Sequence, residues 1–201
     1  MLNRYIALDL ETTGFSATSS DIIEIGAWKI EDGVAKEKFC TYVRPYSYIP
    51  RNIQQLTGIT PEMVKDSPVL EEILFEFFDW CSDYPFVGHN IQFDYSFLVT
   101  KGKNIGLDFT LSKSRMGIDT LKLSKKYLNL QSNKLKDVLD YFNIEYDEDS
   151  LHSAKVDSYM CKLLIDRFNT IVKGADLIPS PLDEDGRKYG TVTNEETLSF
   201  E

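Results

Sequence analysis

Hydrophobic and polar positions along the chain follow two periods in turn. The stretch "YIALDLETTGF" (residues 5–15) is apolar, β-prone and closed by Thr-Thr-Gly, so it reads as a buried strand. "IIEIGAWKI" and "VAKEKFCTYVRP" follow, joined by Glu-Asp-Gly, which is the pattern of a hairpin. The first three strands are therefore expected to form an antiparallel meander. Helical spacing then takes over. "TPEMV" places Thr60 as an N-cap and Pro61 at the first helical position. "SPVLEEILFEFFDWCSD" opens on the same Ser-Pro signal and carries Leu70, Ile73, Leu74, Phe77, Trp80 and Cys81 on one stripe.

Short strands and helices alternate after that. "YPFVGHN" reads as a strand, "FDYSFLVTK" as the start of a helix, "MGID" as a strand and "TLKLSKKYL" as a basic helix behind it. "SNKLKDVLDYFNI" is amphipathic through Leu135, Val138, Leu139 and Phe142. "SAKVDSYMCKLLIDRFNTIV" puts Val156, Met160, Leu163, Leu164 and Phe168 on its core face. Past Lys173 the pattern fades into the linker-like "GADLIPSPLDEDG" and a tail with one possible short strand, "KYGTVTNEETLSFE". A meander followed by alternating helices and strands predicts an α/β fold, a mixed sheet with helices on both faces. It occupies residues 1–173, with an acidic C-terminal tail over 174–201.

Polar residues inside the first strand break this picture. Asp9 and Glu11 are two apart, so they share a face and sit side by side next to a core. Close like charges raise a carboxyl pKa unless an opposite charge offsets them. Oxygen ligands of this kind suit a hard divalent cation such as Mg²⁺ or Mn²⁺. Such a site needs more acids, and two further stretches offer them. In "GHNIQFDYSF", Asp94 stands in the first turn of a helix with Phe93 beside it. In "HSAKVD", His152 and Asp157 are five apart, about 500° around an ideal helix, so the two do not share a helical face. His152 is expected on the loop before the helix, near Ser153 as cap, with Asp157 one turn inside. Taken singly, each piece also has a plain structural reading, and His89 reads as a satisfied structural histidine.

In order along the chain, "DLETTG" (Asp9, Glu11), "HNIQFD" (Asp94) and "HSAKVD" (His152, Asp157) resemble the three motifs of the DEDDh 3′→5′ exonucleases. That family includes the proofreading epsilon subunit of bacterial replicative DNA polymerase. "LTGIT" (residues 56–60) and "IDT" (residues 118–120) also recur there, and the resemblance covers about residues 4–172. The resemblance implies a ribonuclease H-like sheet. It also implies two divalent cations: Asp9 bridging both, Glu11 and Asp157 completing the site of the attacking water, and Asp94 serving the second. His152 is implied as the general base, and the substrate is nucleic acid with a free 3′ end. Substrate contacts implied are Leu10, Thr12, Leu56, Thr57, Asn90 and Phe93. The favoured reading is an epsilon-type exonuclease on single-stranded DNA, alone or in a polymerase assembly. An RNA-trimming exonuclease and a silent nucleic-acid-binding module are the alternatives.

Composition shifts the reading only in part. Net charge is −10, which taken alone argues against a nucleic-acid partner. Its distribution differs: residues 97–136 hold nine bases and two acids, whereas 174–201 hold seven acids and two bases. The basic run is either a solvated helix face or a phosphate-attracting patch. Three scattered cysteines, Cys40, Cys81 and Cys161, form no Cys-x-x-Cys pair and read as free thiols of a cytoplasmic protein. No apolar stretch approaches the ~20 residues needed to cross a bilayer. Residues 196–200, "ETLSF", distantly resemble a peptide that docks on sliding clamps, with Glu195 where that pattern has Gln.

Overall fold

A computed structural model of the chain describes residues 2–109, 116–172 and 175–182. The three predicted strands are present as β1 (Arg4–Thr12), β2 (Ile22–Glu31) and β3 (Val34–Tyr42), paired antiparallel as a meander. Asp32 and Gly33 close the hairpin with φ of 51° and 74°. Positive φ at both central residues gives the turn twist that suits paired strands, and glycine adopts it freely. Helices α1 (Arg51–Thr57), α2 (Pro61–Val64) and α3 (Leu70–Cys81) lead to β4 (Phe86–Gly88). Then come α4 (Ile91–Asn104), β5 (Met116–Asp119), α5 (Thr120–Tyr127), α6 (Leu135–Tyr141) and α7 (Ala154–Ile171). A last strand, β6 (Ser180–Pro181), completes a six-stranded sheet of order β3-β2-β1-β4-β5-β6. β4 runs parallel to β1 and β5, and β6 runs antiparallel to β5.

The pleat of β1 divides the core in two. Ile6, Leu8 and Leu10 point into one cluster with Leu74 and Phe77 of α3 and Tyr95 and Phe97 of α4. Tyr5 and Ala7 point the other way, against Val138 and Leu139 of α6 and Cys161, Leu164 and Phe168 of α7. Helices on both faces of a mixed sheet therefore match the predicted class. All three cysteines are free, and among the described residues no helix is long and apolar enough to cross a membrane.

Three local expectations need correction. The Ser67-Pro68 pair does not open α3, whose N-cap is Val69. The Pro68 carbonyl instead accepts the Arg44 N–H at 2.9 Å, which commits it outside the helix. On α7 the buried stripe is Ala154, Asp157, Ser158, Cys161, Leu164, Ile165 and Phe168, so Val156 and Met160 fall on its flank. The stretch read as linker contributes β6, and Leu177 and Leu182 are buried there. Leu182 packs over Gly117, where an added Cβ would stand 3.0 Å from its methyls. The rest of the acidic tail, the clamp-like residues 196–200, and Lys113 and Arg115 of the basic run lie outside the described residues.

The short β4 leaves part of its neighbour unpaired. It has three residues and pairs with β1 only at Ile6 and Ala7. Beyond that point β1 runs on with one edge free, and the first turn of α4 occupies the gap.

Candidate active site

Asp9 and Glu11 lie on the β1 face that α7 covers, both half-buried. α7 brings Asp157 to them: Asp9, Glu11 and Asp157 each offer an oxygen within 4.8 Å of the others. Asp94 closes the group from α4. It is 3% exposed, and its Oδ1 accepts the Leu10 N–H at 2.9 Å on the free edge of β1. Four acids from three separate stretches of the chain thus meet where β1 outruns β4.

Their electrostatics carry the cost of that meeting. Burial first, then the charges of Asp94, Asp157, Glu11 and Glu24, push the Asp9 carboxyl well above its usual range. Burial, then Asp157, Glu24 and Asp94, do the same to Glu11. Asp94 is raised by burial although backbone N–H groups oppose the shift. Asp157 is pushed up to about 7 by burial, with Glu24 adding and the His152 N–H opposing. Desolvation and like charge both disfavour the ionised forms here.

The donor set fits divalent cations. All four side chains are hard oxygen ligands. Asp157 Oδ2 accepts the His152 N–H at 3.3 Å, while its Oδ1 is buried with no hydrogen-bond partner. A buried carboxylate oxygen without a donor is the kind of group that a cation would satisfy.

His152 precedes α7 in a left-handed conformation, φ 68°, with its ring exposed at the rim. Partial desolvation lowers its pKa below 6.5. Ser153 is the N-cap by position, as predicted, but its side chain does not cap its own helix. A cleft of about 450 Å³ beside it is lined by Glu24, Thr41, Tyr42, Thr57, His152 and Lys155, among others. His89 is half-buried: Nε2 donates to the Asn133 carbonyl at 2.8 Å and Nδ1 lies 2.9 Å from Thr120 Oγ1. It is the structural histidine expected.

The predicted substrate residues are placed unequally. Thr57 lines the cleft with His152. Leu10 presents its N–H to Asp94 rather than outward. The Thr12 hydroxyl turns back to donate to the Gly14 carbonyl at 2.7 Å. Asn90 is the left-handed N-cap of α4, its N–H donating to Asp119 Oδ1 at 2.9 Å, and Phe93 packs on Phe97. Leu56 is half-buried at the end of α1.

Glu24 is the residue that sequence reasoning missed. It lies directly across from Glu11 in the β1–β2 ladder and is 6% exposed. The signal was present: an acid inside the apolar run "IIEIGA" poses the same question as Asp9. Asp119 was likewise not singled out; it caps α5 and holds Asn90.

The chain is similar to known proteins to different degrees. Residues 6–164 match the RNase T family, described as Exonuclease. The DNA polymerase III subunit epsilon of Aquifex aeolicus is 35% identical over 156 residues, 77% of this chain and 74% of that protein. A PolC-type DNA polymerase III from Caldanaerobacter subterraneus subsp. tengcongensis is 34% identical over 184 residues, 90% of this chain but only 13% of that protein. Among solved structures, E. coli exonuclease I in complex with a dT13 oligonucleotide shares the fold with a TM-score of 0.74 and 16% identity, over 84% of this chain and 41% of that one. The nuclease domain of 3′hExo, a DEDDh family member bound to rAMP, gives 0.71 and 18%, over 90% and 98%. At those identities the two structures speak to fold alone.

Proposed function

The chain belongs to the Exonuclease family and is a 3′→5′ exonuclease of the DEDDh type, and from that premise we propose its reaction: metal-dependent release of 5′-mononucleotides from the 3′ end of single-stranded DNA. The observation that carries the reading is the convergence of Asp9, Glu11 and Asp157 within 4.8 Å, with His152 at the rim. Two divalent cations, Mg²⁺ or Mn²⁺, would offset the charge of phosphate and acids and stabilise the attacking and leaving oxygens.

The chain's own residues do the rest. Asp9, Glu11, Asp94 and Asp157 supply the anionic ligands, and the Leu10 N–H keeps Asp94 aimed at the site. His152 takes a proton from the attacking water as general base, and its lowered pKa keeps the ring neutral near pH 7. The water oxygen adds to phosphorus and the bond to the 3′ oxygen breaks, so the released nucleotide keeps its 5′ phosphate. Thr57, on the wall of the same cleft, would meet the terminal nucleotide there. DNA is favoured over RNA by the likeness to DNA polymerase III components, and a place beside a replicative polymerase in the cytoplasm follows from the same likeness.

Matched DNA and RNA oligonucleotides, 5′-labelled and with free or blocked 3′ ends, test the reading. Stepwise shortening from a free 3′ end, release of 5′-mononucleotides, faster turnover of DNA and loss of activity in EDTA are expected. Faster turnover of RNA would transfer the assignment to RNA trimming. Internal cleavage, or full activity in EDTA, would overturn the mechanism.

A further inference from the structure

Glu24 is a fifth carboxylate in a pocket already crowded with four, and nothing in the proposed reaction uses it. Its neighbours on β2 show what it holds. Residues 24, 26 and 28 share one face of that strand, and all three meet the first turn of α7. Glu24 Oε2 accepts the Ala154 N–H at 2.9 Å, and its Oε1 accepts the Ser153 hydroxyl at 3.1 Å. Gly26 leaves room for the helix: an added Cβ would stand 2.0 Å from the Ala154 carbonyl oxygen. Trp28 Nε1 donates to the Lys155 carbonyl at 3.0 Å, and its ring packs edge-on against Tyr159 at 5.1 Å. Acceptor, gap and donor succeed one another along the strand and grip the helix start.

Helix N-termini usually satisfy their free N–H groups with the cap residue's own side chain. Here the Ser153 hydroxyl points outward to Glu24, and the carboxylate of a different element caps the helix. A negative group is favoured at that end, where the helix dipole is positive. Both Glu24 oxygens already have donors, which separates it from Asp157, whose Oδ1 has none. Glu24 is thus built to hold chain, not cation. The residues it holds adjoin His152, which enters the helix from a left-handed conformation with φ of 68°.

We propose that Glu24 is a positioning residue for the reaction: by fixing Ser153 and Ala154 it sets the place of the His152 ring at the rim of the acid group. This rests on the reading of His152 as general base. Outer hydrogen-bond partners that orient site residues are typically worth 10–100-fold in activity.

The test is steady-state kinetics on a single-stranded DNA oligonucleotide with Mg²⁺, using Glu24→Ala, Glu24→Gln, His152→Ala and the Glu24→Ala/His152→Ala pair. Glu24→Ala should lower kcat about 10–100-fold with KM changed less than about threefold. Glu24→Gln should recover most of that loss, because an amide oxygen still accepts the Ala154 N–H. The double variant should be no more than about threefold slower than His152→Ala alone, since a misplaced base and a missing base cost the same thing once. Multiplying losses, a change confined to KM, or a Gln variant as slow as the Ala variant would each overturn the proposal. If circular dichroism shows Glu24→Ala unfolded, Glu24→Asp, which shortens the reach by one methylene, takes its place in the cycle. An active Glu24→Ala protein beside an inactive His152→Ala one sinks the proposal alone. An active His152→Ala protein sinks the base reading and the proposal with it.

Discussion

Removing one acid from the site should stabilise the metal-free protein while destroying its activity, and Asp157→Asn is the variant that shows it best. Asp157 is 8% exposed and ionises at about 7 in the fold, against 3.8 for an ordinary aspartate. The folded state therefore holds this proton more tightly than the unfolded chain does. Below about pH 4 both states carry it and the group costs nothing. As pH rises from there to about 7 the unfolded chain gives the proton up first, so stability falls, and above 7 the full penalty stands. At about 1.4 kcal/mol for each pH unit between the two values, that penalty is about 4 kcal/mol. Neighbouring acids share the burden, so about 2–4 kcal/mol is expected from the substitution. In a domain of this size that is a rise in Tm of about 4–16 °C. Asparagine keeps an oxygen to accept the His152 N–H, so the gain is not offset by a lost contact. Thermal denaturation in EDTA at pH 4.5 and pH 8 measures it: the Asn variant is higher at both, with a gap at the lower pH about a quarter of that at pH 8. Millimolar Mg²⁺ should narrow or reverse the gap, because a ligand that binds only the folded state stabilises the protein that still has the site. An Asn variant no more stable than the parent at pH 8 without metal would refute the claim that burial, with the charge of Glu24 added, penalises the ionised Asp157 in the fold.

Other outcomes rest on the same geometry. Asp9→Asn should cut kcat more than about 100-fold while far-UV circular dichroism stays unchanged, because the proposed mechanism loses the carboxylate that feels all the other acids. His152→Ala should lower kcat about 10²–10⁴-fold. In the parent enzyme kcat should rise with pH and level off, with a midpoint below 6.5 because the ring is harder to protonate than free imidazole; the Ala variant should lose that limb in a stopped-time pH series. Gly26→Ala should destabilise by about 1–3 kcal/mol, read by urea titration, because its methyl meets the Ala154 carbonyl.

Much of the fold and site was legible in the sequence because it is periodic. Asp9 and Glu11 declare themselves by a period of two in an apolar run, and the meander by three such runs with a Gly-containing turn. The start of α7 was legible too, since five residues cannot bring His152 and Asp157 to one helical face. What stayed hidden lacks a period or has remote partners. β6 has two residues, too few to alternate, and is paired only because Leu177 and Leu182 bury themselves at the sheet edge. Glu24 sits in a run that reads as a buried strand, and its partners Ser153 and Ala154 lie 129 and 130 residues away. The drift of the α7 stripe from Val156 and Met160 toward Cys161 and Ile165 has a similar origin. The helix turns its small Ala154 and Ser158 to the sheet so that Asp157 can reach β1.

The site is held together by register more than by any single bond. Asp9 stands opposite Gly26 and Glu11 opposite Glu24, so the two acids face the two positions that receive α7. A slip of one residue in β1 would turn both acids to the other face, among Leu74, Phe77 and Tyr95, and bring Leu8 and Leu10 under α7. Burying two carboxylates without partners would cost several kcal/mol, far more than the slipped ladder could return. The apolar alternation that makes β1 a core strand is therefore also what aims its acids, and the ladder breaks register just past them, between Glu11 and Thr12. β4 contributes by being short: had it continued beside Leu10, that N–H would bond a neighbouring strand and Asp94 would lose its anchor. The catalytic geometry is thus a consequence of strand lengths and pleat, set before any metal or nucleic acid arrives.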